Sequence, residues 1–392
     1  MRILHISTLD NDGAGQCCLR IHCSMLDAGI ESKVVVLQNT KHVKGEYGYG
    51  EFIDKIKKIP TKLFSIMGLR VTERNRLYHL SQIYHAPYSL PTSNVNLLNN
   101  KWIEWADIIH LHWVCNYIDY PSFFKNIDKP IVWTLHDEYF FYGIAHYSNH
   151  VLKNNQIEIH YAQVKYKALS NVKSLSVVLL SDFLYQKYKG NNLLKNRRVK
   201  VINNSVDAKT FVPISKFAAR RELGLNDDDV VFAFTAMIID EKRKGLDLLS
   251  QTLMEINPKI KILAIGNNPQ NRFWPNVICV GPKKNSREIC KVLSAADYYA
   301  MPSSQEAFAQ SPMEAMACGL PVVVFPVSGT SELIRDYNGV VCEDFTKEAL
   351  DKGIQELMKR EYDSMEIRED MIARFSPESI ASDYIELYRE IM

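Results

Sequence analysis

Ser303–Val323 reads SSQEAFAQSPMEAMACGLPVV. Ser311 is a favourable N-cap, Pro312 suits the first helical position, and Glu314 then falls at N3, so the spacing predicts a capped helix over Pro312–Cys318. Tyr298–Met301 before it and Pro321–Phe325 after it are short apolar runs that read as buried strands. The loop from Met301 to Gln310 therefore delivers a ligand to a helix start, where unpaired amides and the helix dipole favour a phosphate group. Glu306 in that loop is placed to accept hydrogen bonds from sugar hydroxyls, and Glu314 to serve a ribose. Glu314 is also explained by capping alone. Glu306 is not, because its neighbours Ala307, Phe308 and Ala309 are not those of a solvated loop.

Outward from this segment the same alternation of strand and helix continues. Val230–Ala236, Ile260–Ile265 and Val277–Val280 read as strands, and Gly245–Ile256, Asn285–Ala296 and Lys347–Arg360 as helices. A second alternation occupies the first half: strand Arg2–Ile6, a polar Gly-bearing turn Asp10–Gly15, a helix to about Ala28 and strand Lys33–Leu37. Strands Ile108–Leu111 and Ile131–Leu135 follow, each leading into histidine-bearing sequence. The Lys/Asn-rich stretch 189–200, strand Val199–Ile202 and the turn Asn203–Asp207 separate the two. The expected class is α/β: a domain at 1–204, a domain at 205–374, and a last segment, 375–392, whose amphipathic helix packs back on the first domain.

Bulk properties agree with two folded domains, since 392 residues exceed what one core usually supports. The 47 Lys and Arg against 45 Asp and Glu leave a charge of +2, which excludes a nucleic-acid-coating protein. The eight cysteines lack zinc-ligand spacing and fit free thiols in a reducing compartment. No apolar run approaches the ~18 residues of a spanning helix, and the opening MRILHIS is unlike a secretory signal. A cytoplasmic protein is expected. Lys55, Lys57, Lys58, Lys62 and Arg70 are interleaved with apolar residues, which suits either a core-packed helix or contact with the cytoplasmic face of an anionic membrane.

Glu306 and Glu314, with seven residues between them and followed by EAMACGLPVVVF, resemble the signature of family-4 retaining glycosyltransferases of the GT-B fold. Weaker echoes cover nearly the whole chain in the same order: Gly13-Ala14-Gly15, DIIHLHWV at Asp107–Val114, VWTLHDEYFFYGIAHYS at Val132–Ser148, NNSVD at Asn203–Asp207 and EKRKGLDLL at Glu241–Leu249. The likeness is strongest to bacterial capsule and exopolysaccharide transferases. It implies two Rossmann-like doubly wound domains with an inter-domain cleft, the N-terminal one for the acceptor and the C-terminal one for the nucleotide sugar.

By the same resemblance Lys244 and Arg243 face the donor diphosphate, Glu306 contacts the transferred sugar and Glu314 the ribose. Phe308, Ala309, Gln310 and Ser311 complete the donor side, with amides near Gln310 and Ser311 at the diphosphate. His136 lies beside the transferred sugar in a positioning role, with Asp137 next to it, His112 on the acceptor side, and Gly13, Ala14 and Gly15 where the backbone closely approaches the reacting centre. Cations and helix amides would do the work of a metal, so no metal or other cofactor is expected. The reaction implied moves a sugar from a UDP- or GDP-linked donor to a glycan or lipid-linked glycan in capsule or lipopolysaccharide assembly. Alternatives are a nucleotide-sugar epimerase of the same fold and an inactive glycan-binding partner.

The sequence departs from the family pattern at three places, one being that residues 149–165 hold no cysteine where related polysaccharide enzymes often carry a Cys-rich segment, which implies a different acceptor-side lid. No arginine stands at Ala236-Met237, where Gly-Arg is common, and Ser205 occupies a turn position that favours positive φ. All eleven histidines lie between His5 and His160, and His112 and His136 stand out because each follows a buried strand. The acidic tripeptides Asp10-Asn11-Asp12 and Asp227-Asp228-Asp229 are explained by a Gly-containing loop and a solvated turn without a metal.

Overall fold

A computed structural model describes residues 1–49, 73–170 and 172–392. The basic segment Lys55–Arg70 lies outside them. The chain divides into two compact units, Met1–Ile202 with Ala381–Met392, and Asn203–Ile380.

The first unit is built on a seven-stranded parallel sheet. Its strands are β1 (Arg2–Ser7), β2 (Glu31–Val36), β3 (Glu46–Gly48), β4 (Ile108–Leu111), β5 (Ile131–Leu135), β6 (Leu175–Leu179) and β7 (Arg198–Val201), in the order β3-β2-β1-β4-β5-β6-β7. The second unit holds β8 (Val231–Ile238), β9 (Lys261–Asn267), β10 (Val277–Gly281), β11 (Tyr298–Met301), β12 (Val322–Val324) and β13 (Gly339–Val341), in the order β10-β9-β8-β11-β12-β13. Both are the doubly wound α/β arrangement expected, and the strand order reverses at β1/β4 and at β8/β11. Ligands of such sheets bind beyond the carboxyl ends of strands at these reversals. The central strands β4, β5, β6 and β12 are buried at every residue, as parallel strands covered on both faces must be.

Two local expectations are corrected. The turn Asp10–Gly15 is shorter than expected, because a helix begins at Gly13 with Asp12 as its N-cap, the carboxylate accepting from the Gly15 N–H at 2.7 Å. The Asp12 side chain captures an orphan amide of the first turn, so the glycines start the helix rather than end the loop. At Gly15 a Cβ would lie 2.4 Å from the Leu9 carbonyl oxygen, which only glycine tolerates. Ser205 is absent from the positive-φ residues of the described chain, so its turn has ordinary geometry. There Val206 N–H bonds the Phe375 carbonyl at 2.9 Å, and Asp207 accepts from the Lys209 and Thr210 amides.

The helix Pro377–Ile391 ends within the first unit. Tyr384 and Tyr388 are fully buried there, their hydroxyls meeting Thr134 Oγ1 at 2.8 Å and His110 Nδ1 at 2.6 Å. No helix among the described residues is long and apolar enough to cross a membrane.

Candidate active site

In the second unit, the loop following β11 and a short turn after β8 are laced together. Lys242–Lys244 form one 3-10 turn that ends at Gly245 with φ of 80°. A Cβ at Gly245 would lie 2.2 Å from the Pro302 carbonyl oxygen, so glycine lets the turn lie against the loop. Ser304 N–H donates to the Arg243 carbonyl at 2.9 Å, and Arg243 Nη1 donates to the Gln305 carbonyl at 2.9 Å. Residues some sixty positions apart are thereby brought together at the β8/β11 reversal.

Glu306 is the centre of this junction. Its Oε1 accepts from Lys244 Nζ at 2.5 Å and from Arg243 Nη1 at 3.2 Å, while Arg243 Nε also meets Glu241 Oε1 at 2.7 Å. Burial raises the Glu306 pKa, but Lys244 and Arg243 outweigh it and hold the carboxyl below its ordinary value. Two cations and two carboxylates thus form a compact, charge-balanced group. An arriving anion meets cations already fixed in position, and its charge adds to a site whose own acids balance those cations.

The helix over the candidate signature runs Gln310–Ala317, with Ala309 as an N-cap that makes no side-chain hydrogen bond. This corrects the expected cap. Ser311 and Pro312 stand at N2 and N3, where a missing proline N–H costs nothing because it has no intrahelical acceptor. Glu314 accordingly lies beyond the first turn and is no capping residue. The cap residue itself supplies no side-chain oxygen, and a helix start favours an anionic group. Phe308 turns inward, 5% exposed, with its ring 6.1 Å from that of Phe375, and Asn204 Nδ2 reaches its carbonyl at 3.3 Å. Ala309 N–H donates to Thr330 Oγ1 at 3.4 Å. Phe308 and Ala309 therefore shape the loop from within, whereas Gln310, Ser311 and Glu314 are half-buried on the helix. Met237, at the place where the resemblance expects arginine, is 65% exposed and lies where the β8/β9 register shifts, between Thr235 and Ile238.

In the first unit, the carboxyl ends of β4 and β5 bring His112 and His136 together, with His112 Nδ1 3.1 Å from His136 Nε2. His5 on β1 extends this contact, its Nδ1 lying 3.1 Å from His112 Nε2. Burial pulls His136 down to about 4, with Asp137 opposing and Arg20 adding to the fall, and pulls His5 and His112 well below the ordinary histidine value. Asp137 is spent within the protein: its carboxylate accepts from Trp113 Nε1 at 2.9 Å and the Tyr139 amide at 2.9 Å, and pairs with His146 Nδ1 at 2.5 Å. His146 was invisible as a partner in the sequence; only its position nine residues after Asp137 hinted at it.

Each acidic tripeptide has a carboxylate engaged by protein groups. Asp10 bonds Thr40 Oγ1 at 2.6 Å and the Lys41 amide at 2.7 Å, and Asp229 bonds Lys261 Nζ at 2.6 Å. Among the described residues, His5, His110 and His112 form one group with metal-ligand spacing, and Cys115, Asp137 and His146 another. In the first group His110 engages Tyr388 and Thr134 through its two nitrogens, and in the second Asp137 and His146 pair with each other. Neither group has a set of ligand atoms uncommitted to protein partners.

Two parallel, Rossmann-like sheets with these sites at their strand reversals define the GT-B class of fold. Residues 215–375 match the family model described as Glycosyl transferases group 1. Sucrose-phosphate synthase from Thermosynechococcus elongatus superposes with a TM-score of 0.71 at 18% identity, covering 100% of this chain and 99% of that one. Anabaena HepE in complex with UDP gives 0.65 at 17% identity with 100% of both chains covered. WaaG, a glycosyltransferase involved in lipopolysaccharide biosynthesis, gives 0.61 at 17% identity over 97% of this chain and 95% of that one. Among curated proteins, a D-inositol 3-phosphate glycosyltransferase of Segniliparus rotundus is 30% identical over 179 residues, 41% of this chain and 39% of that protein. An uncharacterised glycosyltransferase of Methanocaldococcus jannaschii is 26% identical over 247 residues, 57% of this chain and 62% of that protein. The aligned stretch spans about two fifths of the length of the first curated relatives.

Proposed function

We propose that the chain is a retaining glycosyltransferase that takes a sugar from a nucleotide diphosphate sugar. The observation that carries this reading is the junction of Glu306 with Lys244 and Arg243 beside the helix Gln310–Ala317, inside the segment that matches group 1 glycosyltransferases. Lys244, Arg243 and the helix amides take the diphosphate, whose negative charge grows as the sugar leaves. Glu306 holds those cations in place and accepts from hydroxyls of the transferred sugar, and Glu314 serves the ribose. No metal is needed where fixed cations and amides stabilise the leaving group. The UDP and UDP-glucose complexes of HepE support a UDP-linked donor, with GDP-linked donors as the second class to test.

The acceptor we propose is a glycan or lipid-linked glycan of bacterial surface polysaccharide assembly, a reading supported by the likeness to WaaG. The inositol phosphate relatives offer the competing acceptor class. The enzyme would then act in the cytoplasm, with Lys55–Arg70 as a contact to the membrane face. Incubation with UDP- and GDP-sugars in the presence of EDTA, with each acceptor class, tests the proposal. Donor cleavage that depends on acceptor and survives EDTA is expected. Conversion of the donor to its epimer without acceptor would instead identify an epimerase, and absence of any nucleotide affinity by calorimetry would identify an inactive partner.

A further inference from the structure

We infer that His5 and His112 are positioning residues that fix His136 as its Nδ1–H tautomer. The first unit thereby presents a hydrogen-bond donor, rather than a base, to a sugar oxygen at the carboxyl end of β5. That the oxygen belongs to a sugar rests on the glycosyl-transfer reading; the tautomer does not.

The three rings form one line: His5 Nδ1 to His112 Nε2 at 3.1 Å, then His112 Nδ1 to His136 Nε2 at 3.1 Å. His5 and His112 are 0% and 1% exposed, and His136 is the half-buried end of the line. A neutral imidazole has one N–H and one lone pair. Each bond in the line uses one of each, so all the protons must point the same way. Only two orders exist. In the first, every Nδ1 carries the proton: His5 donates to His112, His112 donates to His136, and His136 keeps an Nδ1–H facing away from the line. In the second, every Nε2 carries it, and the line ends on a protonated His5 Nε2.

The inner end decides between them. His5 Nε2 is buried and meets no hydrogen-bond partner among the described residues. A bare lone pair there is the lesser penalty, because buried N–H groups left without an acceptor are rarer in proteins than under-satisfied acceptors. An imidazolium in the line would release this constraint, but burial holds all three rings neutral at pH 7. The surrounding polar groups are committed elsewhere: His110 to Tyr388 and Thr134, His22 to Ser32 and the Lys44 carbonyl, and Asp137 to Trp113 and His146. The line is therefore polarised from the core outward.

Two-bond nitrogen–proton correlation spectra of the uniformly 15N-labelled full chain at pH 7.5, without ligand, test the inference. Loss of signals in His136→Gln provides the assignment. The expected result is a proton on His136 Nδ1 and a bare Nε2. In His112→Leu the Nδ1–H population should fall several-fold, and His5→Leu should lower it too. His5→Asn, whose amide nitrogen takes the place of Nδ1, should preserve it. A proton on His136 Nε2 in the unaltered protein overturns the inference, as does an unchanged tautomer in a folded His112→Leu chain. If both leucine variants fail to fold, the unaltered spectrum decides alone. Lack of turnover with every donor would defeat the glycosyl-transfer reading and leave these spectra unchanged, so the two failures are distinguishable.

Discussion

Glu306 shows how one carboxylate can tie two cations to a loop. Replacing it with glutamine leaves Lys244 and Arg243 facing each other, each only 17% exposed. Breaking such a buried arrangement on one side costs about 3 kcal/mol, so Glu306→Gln should lower the midpoint of thermal unfolding. Lys244→Ala should reduce turnover by roughly a hundredfold or more, the scale for removing a charge aimed at the developing anion. Steady-state kinetics with the best donor would check it, and undiminished kcat/KM in a folded Lys244→Ala protein would remove Lys244 from the site. Gly245→Ala joins a strained φ to a clash with Pro302, and of the order of 1–3 kcal/mol should be lost together with activity.

At the scale of elements, the helix Pro377–Ile391 completes the first unit by supplying phenol groups to its core. Tyr388→Phe keeps the ring but leaves His110 Nδ1 without its 2.6 Å partner, and a loss of about 1–2 kcal/mol is expected by chemical denaturation. Elements differ in how openly the sequence announces them. Ile108–Leu111 and Ile131–Leu135 are uninterrupted apolar runs and fall where their residues predict. The three-residue strands Glu46–Gly48 and Gly339–Val341 are too short for a period to show, and their pairing depends on a neighbour already in place. The candidate signature was legible as a helix, yet its start was misread, since Ser311-Pro312 serves equally well inside a first turn. The meeting of Lys244 with Glu306 was visible only through family resemblance, because no local pattern relates residues 62 apart. The histidine line was half legible: strand ends pointed to His112 and His136, whereas His5 joins them through the pairing of β1 with β4.

Across the whole molecule, histidine is confined to one unit, and this sets its response to acid. His5, His22, His110, His112 and His136 all have folded pKa values lowered by burial. On unfolding each regains an ordinary value near 6.5. Below that pH the unfolded chain binds more protons than the folded one, so stability falls as pH drops. Each ring contributes up to about 1.4 kcal/mol per pH unit until its folded value is reached. Glu306 acts lower: its depressed pKa supports the folded state above the ordinary carboxyl value and loses that contribution only as pH falls through the folded one. Hydrogen exchange at pH 7.5 and 5.5 should therefore show protection lost first in Met1–Ile202. Parallel loss in Asn203–Ile380 at pH 5.5 would contradict this account.

The hydroxyl of Tyr388 has a further consequence for the order of synthesis. A ribosome completes Ile202 long before it reaches Tyr388, a delay of roughly ten to forty seconds at 5–20 residues per second. During that interval His110 on β4 and Thr134 on β5 lack the phenol groups that Tyr388 and Tyr384 later bring. The second unit is synthesised meanwhile and can fold first, although it comes later in the chain. The last helix, made at the end of synthesis, therefore completes a unit whose sheet was made first.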